Sequence, residues 1–168
     1  VFGLLSSDYP EVLVLEYGAD KPGDIKKLSK KYKPHIGVVT AVGQVPVHVE
    51  YFSGPEGVAK EKGRLVEALL ASDFAVLNFD DLAVLEMKER TRAKVFTYGF
   101  GDGVMVRVSN FESWIENGTR GVDLRGGAQL RLAGIGYYCL NSVFGVLAIL
   151  ISVSASFRSC LRNATKPA

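Results

Sequence analysis

Apolar residues along this chain fall into short continuous runs separated by amphipathic stretches. EVLVLEYG (11–18), HIGVVTAV (35–42), FAVLNFDD (74–81) and AKVFTYG (93–99) are each of strand length and rich in β-branched, leucine or aromatic residues. Residues 21–33, with Pro22 at the first helical position, read as a helix, and so do 54–72 and 82–91. Near-continuous apolar strands alternating with helices predict a mostly parallel sheet flanked by helices on both faces. After Gly101 the pattern changes. VMVRVSNF alternates like a half-exposed strand, and VDLRGGAQLRLAG holds two short strands around Gly126 and Gly127, a hairpin pattern. The expected fold is therefore α/β with a small β-rich appendage.

Residues 137–157 carry no charge. Two readings stay open, a late buried helix packed on the sheet and a membrane span. Asn141, Gly145 and the serines at 152, 154 and 156 favour the buried helix.

The 168 residues suit one domain, and 48% apolar with 23% charged residues is the profile of a globular core. Twenty basic residues stand against eighteen acidic ones with no long basic run, which argues against nucleic acid as the main partner. The lysine-rich stretch 21–33 reads as the wet face of its helix. Cys139 and Cys160 form neither a CxxC pair nor a zinc spacing. They fit a reducing, cytoplasmic setting. The chain opens on Val1 with no signal-like segment, and is expected to be a piece of a longer protein.

In an open parallel sheet, ligands bind beyond the carboxyl ends of the strands. Four polar features there call for explanation. Glu16 ends an apolar run, where a carboxylate is costly unless a cation meets it; a basic side chain and a magnesium ion are the two readings. His48, with Glu50 on the same face of an extended segment, reads either as structural or as part of a site. Lys62 sits four residues from both Val58 and Val66, on the apolar stripe of its helix with Leu65, Leu69 and Leu70. It either snorkels to the edge or is held inside for chemistry. Lys60, between Glu56 and Arg64, faces water. Asn78, Asp80 and Asp81 close the third strand, where one of them can cap the next helix. No Gly-x-x-x-x-Gly-Lys-Ser/Thr motif occurs.

LVLEYGADKPGDI, VVTAVGQVPVHVEYFSGPEGVAKEKGRLVEAL and AVLNFDD, in this order and spacing, resemble the central domain of Mur ligases over residues 9–100. Within that family the match is nearest to the branch that adds D-alanyl-D-alanine. GIGYYCLNSVFGVLAI resembles the family's late helix, and LRNATKPA the run into its C-terminal domain. The resemblance implies a P-loop NTPase-like domain whose phosphate-loop segment and C-terminal domain lie outside these residues. It implies that Glu16, His48 and Lys62 serve two magnesium ions, Lys62 as a carbamate, and that Asn141, Tyr137 and Tyr138 meet the nucleotide. Asn78, Asp80 and Asp81 match an Asn-x-Asp-Asp block with a mainly structural role.

The implied reaction is ATP-dependent amide formation between a UDP-sugar peptide and a dipeptide through an acyl phosphate. It belongs to cell-wall synthesis, by a cytoplasmic, monomeric enzyme. This piece alone is expected to be inactive. Tyr137 and Tyr138 stand where relatives carry His-Asn or His-Gln, and Ala41 where many carry Asn. The alternatives are a cyanophycin or folylpolyglutamate type of ligase and a non-catalytic, ligase-derived binding domain.

Overall fold

The computed structural model describes residues 13–42, 51–107, 110–116, 119–125 and 129–133, the last three segments by their backbone. Strands β1 (Ile36–Val39), β2 (Phe74–Asn78), β3 (Lys94–Gly99) and β4 (Val106–Arg107) lie side by side in chain order. Every pairing is parallel. Val39 lies opposite Leu77, and Leu77 opposite Thr97, so β1, β2 and β3 run out at one common edge. That edge is where the chain can gather groups from three separate stretches of sequence.

Helix α1 (Asp24–Tyr32) leads into β1, α2 (Pro55–Glu67) connects β1 to β2, and α3 (Leu82–Leu85), tightening into a 3-10 turn over Glu86–Arg90, connects β2 to β3. Side chains alternate across β2. Ala75 and Leu77 join Val39, Val58, Val66 and Met87 in one apolar cluster, while Val76 packs with Tyr98 in another. The side chains of β2 are thus buried on both faces, as its unbroken apolar run predicts. One face lies under α2 and α3, and the other packs among side chains of the sheet itself, Val76 and Tyr98 with Ile36, Val38, Phe96 and Val106.

Several boundaries differ from the sequence expectation. Helix α1 starts at Asp24, not Pro22. Gly23 takes φ 95°, a left-handed conformation that glycine adopts freely, and Pro22 belongs to the turn before it. Asp24 closes that turn by accepting from the Lys21 amide at 2.9 Å. Only Ile25 and Ser29 of α1 are buried, so its lysines form the wet face expected of them. Helix α2 ends at Glu67 rather than Ser72. Beyond it, the Asp73 carboxylate accepts from the Leu70 amide at 2.7 Å, a turn that leaves Leu70 exposed instead of on the stripe.

The apolar run at 11–18 does not form a strand over its described part, residues 13–18. Leu13, Val14 and Leu15 are exposed. A strand needs a partner for its backbone groups, and no such pairing engages this segment among the described residues.

Strands β5 (Asn110–Glu116), β6 (Thr119–Arg125) and β7 (Gln129–Ala133) form a separate antiparallel sheet. Arg125 lies opposite Gln129, which bears out the hairpin expected around Gly126 and Gly127. The single strand expected in VMVRVSNF is split instead. Val106–Arg107 pairs in parallel with β3, and Asn110 opens the antiparallel sheet. Residues 137–157 lie outside the described residues. Among those described, no helix is long and apolar enough to cross a membrane.

Candidate active site

At the carboxyl edge, three side chains from the end of β2 hold the ends of its neighbours. The Asn78 amide donates to the Thr40 carbonyl at 2.8 Å, and its oxygen accepts from the Asp80 backbone amide at 3.0 Å. One oxygen of Asp81 accepts from the Val42 amide at 2.9 Å; the other accepts from the Val84 amide at 3.2 Å, capping α3. Asp80 reaches the other way, accepting from the amides of Phe100 at 2.7 Å and Gly101 at 3.2 Å. The Asn-x-Asp-Asp block thus clamps the loops after β1 and β3 to the end of β2.

Gly99 is required by this clamp, because a Cβ there would stand 2.6 Å from an Asp80 oxygen. Tyr98 is buried beside the same two aspartates. Burial first, then the charges of Asp80 and Asp81, push its phenol well above the usual tyrosine range.

Lys62 enters this edge from α2. Its Nζ donates to the Ala41 carbonyl at 2.6 Å, between the two residues held by Asn78 and Asp81. Burial draws the amine below its ordinary pKa, and the Asp81 carboxylate opposes part of that shift. The half-buried Lys62 and exposed Lys60 have the contrasting environments their helical spacing predicts.

Glu16 lies in the irregular stretch 13–19 and is exposed. No hydrogen bond or ion pair joins it to Lys62 among the described residues. His48, Tyr137, Tyr138 and Asn141 lie outside the described residues. Among those described, no three His, Cys, Asp or Glu side chains converge as a metal site.

Two groups escaped the sequence reading. Glu61 is buried at 6% exposure and accepts from the Ile25 amide at 2.9 Å. Its spacing could have shown this, since it lies three residues after Val58 and four before Leu65. Arg90 is the other. Its guanidinium donates to the Glu67 carboxylate and the Lys60 carbonyl, across the glycine at 63.

Known proteins similar to this chain share its fold. A family profile for the Mur ligase middle domain matches residues 3–147. The UDP-N-acetylmuramoyl-tripeptide–D-alanyl-D-alanine ligase of Mycobacterium leprae is 38% identical over 96 residues, 57% of this chain and 18% of its own. The UDP-N-acetylmuramoylalanine–D-glutamate ligase of Streptococcus agalactiae is 29% identical over 105 residues, 57% of this chain and 23% of its own. Among solved structures, MurF from Acinetobacter baumannii superposes with a TM-score of 0.65 at 19% identity, covering 90% of this chain and 33% of that one. MurF ligase from Thermotoga maritima, solved in complex with ADP, gives 0.64 at 25% identity, covering 88% and 34%. The chain therefore spans about a fifth of the curated relatives and about a third of the solved ones.

Proposed function

The chain belongs to the Mur ligase middle-domain family, and on that premise we propose that it is part of an ATP-dependent amide ligase of peptidoglycan precursor synthesis. The reaction joins D-alanyl-D-alanine to UDP-N-acetylmuramoyl-tripeptide. The γ-phosphate of ATP passes to the terminal carboxylate of the tripeptide, leaving ADP and an acyl phosphate. The dipeptide amine attacks the acyl carbon, the amide bond forms, and phosphate departs with the bonding pair of its C–O bond. We place the reaction in the cytoplasm, where ATP and nucleotide-linked precursors coexist.

The observation that carries the reading is the placement of Lys62. A helix delivers one amine to the carboxyl edge of a parallel sheet, onto the Ala41 carbonyl, where burial favours its uncharged form. An ammonium would repel a metal ion there. The uncharged amine can add carbon dioxide and, giving up a proton to water, become a carbamate, whose oxygens would suit magnesium. Glu16 offers an exposed carboxylate. Glu16, His48 and carbamylated Lys62 are the residues proposed to hold two magnesium ions; Asn141, Tyr137 and Tyr138 are proposed to meet the nucleotide. Bound magnesium supplies positive charge against the transferring phosphoryl group. Asn78 and Asp81 hold the loop that receives Lys62, and Asp80 holds the loop after β3.

The complete reading frame, expressed and given ATP, Mg²⁺, the UDP-linked tripeptide and D-alanyl-D-alanine, is expected to form the amide and release one phosphate per bond. Lys62→Ala and Glu16→Ala should each lower kcat by about 100-fold or more, the scale of losing transition-state charge stabilisation. Full turnover by Lys62→Ala would overturn the reading. The 168 residues alone carry no Gly-x-x-x-x-Gly-Lys-Ser/Thr loop and are expected to release no phosphate from ATP.

A second reading takes D-glutamate as the acceptor, favoured by the similarity to the Streptococcus agalactiae ligase. Supplying each acceptor with its own UDP-linked partner decides between the two.

A further inference from the structure

The segment that carries Glu16 reaches the rest of the site through the start of α1, and two contacts fasten that start. Ile25, near the beginning of α1, donates its amide to Glu61 at 2.9 Å. Lys21, in the turn just before, holds its ammonium 4.9 Å from the centre of the Tyr51 ring. Glu61 is next to Lys62 in sequence, and Tyr51 is three residues beyond His48.

The two contacts differ in weight. Tyr51 is half exposed, and a cation over an exposed ring is a weak tie. The Glu61 carboxylate is almost wholly buried, and its bond ties two helices across 36 positions of chain. A buried carboxylate needs such a donor, and the amides of a helix's first turn have no partner within the helix. Each group therefore satisfies the other. A leucine in place of Glu61 would extend the apolar stripe but leave the Ile25 amide unpaired.

We propose that Glu61 is a positioning residue, which pins the start of α1 to α2 beside Lys62 and so sets the separation between Glu16 and Lys62. The inference rests on the reading of Glu16 and Lys62 as partners in one magnesium site. Glu61 touches neither substrate nor metal in this role; it acts through the backbone of the first turn of α1.

The test uses protein expressed from the complete reading frame, with Mn²⁺ as the probe. Binding is followed by the water-proton relaxation of the ion, and ligase activity by its Mg²⁺ dependence. Glu61→Ala should weaken Mn²⁺ binding by about 10-fold, the scale found when a group that orients a metal ligand is removed. The Mg²⁺ concentration for half-maximal rate should rise to match, with kcat at saturating Mg²⁺ within about 2-fold of the parent. Glu61→Gln keeps an oxygen acceptor for Ile25 and should restore both. Glu61→Asp retains the charge but has a shorter reach; it should shift both in the direction of Glu61→Ala, and serves if the alanine variant does not fold.

If Glu61→Ala lowers the melting temperature and leaves both metal readouts unchanged, the proposal is overturned. So it is if Glu61→Gln behaves like Glu61→Ala. Glu16→Ala and Lys62→Ala run alongside. Unchanged Mn²⁺ binding in those two overturns the underlying site, whereas a loss in them with none in Glu61→Ala overturns the role of Glu61 alone.

Discussion

The amine of Lys62 lies 2.6 Å from the carbonyl oxygen of Ala41, in a half-buried position where the ammonium form is penalised. A lysine whose pKa is lowered by folding binds fewer protons in the native state than in the unfolded one. Stability therefore rises with pH between the two pKa values. Lys62→Met removes that dependence while leaving the Ala41 carbonyl unpaired at every pH. The free energy of unfolding of the parent relative to the methionine variant is expected to increase as pH rises toward the ordinary lysine value of 10.5. Urea melts in carbon-dioxide-free buffer measure it, and a flat or falling difference would contradict the environment assigned to Lys62.

Lys62 was legible in the sequence because helical spacing placed a charge among apolar neighbours. The same logic applies to Glu61, which shares the stripe, but it was missed because its partner is a backbone amide on another helix. Partners distant in sequence leave no periodicity. The parallel sheet was legible from apolar runs of strand length, and the same signal overextended to residues 13–18, since hydrophobicity cannot report whether a backbone finds a neighbour. The hairpin of β5 and β6 went unread, although Glu116 pairs with Thr119 and the two positions between them in the sequence are Asn-Gly, the dipeptide that most strongly signals a hairpin. Leu70 misled for the opposite reason, being apolar yet past the helix end that Asp73 helps set.

Asp81 serves two backbone amides, one in the loop that receives Lys62 and one at the start of α3. Removing the carboxylate costs a helix cap and a charge-assisted hydrogen bond. Asp81→Ala is expected to destabilise by about 2–4 kcal/mol. Asp81→Asn, which keeps one oxygen acceptor, should lose roughly half of that. Equilibrium denaturation measures both. If Asp81→Ala costs under about 0.5 kcal/mol, the clamp on Val42 is not holding the loop.

Asp80 and Gly99 constrain each other. A methyl group on Gly99 would strike the carboxylate that holds Phe100 and Gly101. Gly99→Ala should cost about 1–3 kcal/mol, typical of an overpacked site. With Asp80→Ala already present the obstruction is gone, so the second substitution should cost much less. A double-mutant cycle is expected to show coupling of about 1 kcal/mol or more. Additive costs would mean that Gly99 is there for some reason other than Asp80.

Gly63 poses the reverse problem, since a glycine inside a helix is ordinarily a weakness of up to about 1 kcal/mol relative to alanine. In α2 the Arg90 guanidinium lies across it, donating to the Glu67 carboxylate at 2.7 Å and the Lys60 carbonyl at 3.1 Å. A Cβ at residue 63 would collide with that guanidinium, which sits at the far end of a flexible side chain and can swing away only by giving up these bonds. The propensity gain of Gly63→Ala and the loss of Arg90's bonds are therefore of similar size and opposite sign. In the parent background the substitution should be neutral or destabilising by up to about 1 kcal/mol. In an Arg90→Ala background nothing opposes the gain, and the same substitution should stabilise by about 0.5–1 kcal/mol. The measurement is a thermal or urea cycle of the four proteins. Equal effects of Gly63→Ala in the two backgrounds would show that Arg90 is free to move aside, leaving the glycine without a structural reason.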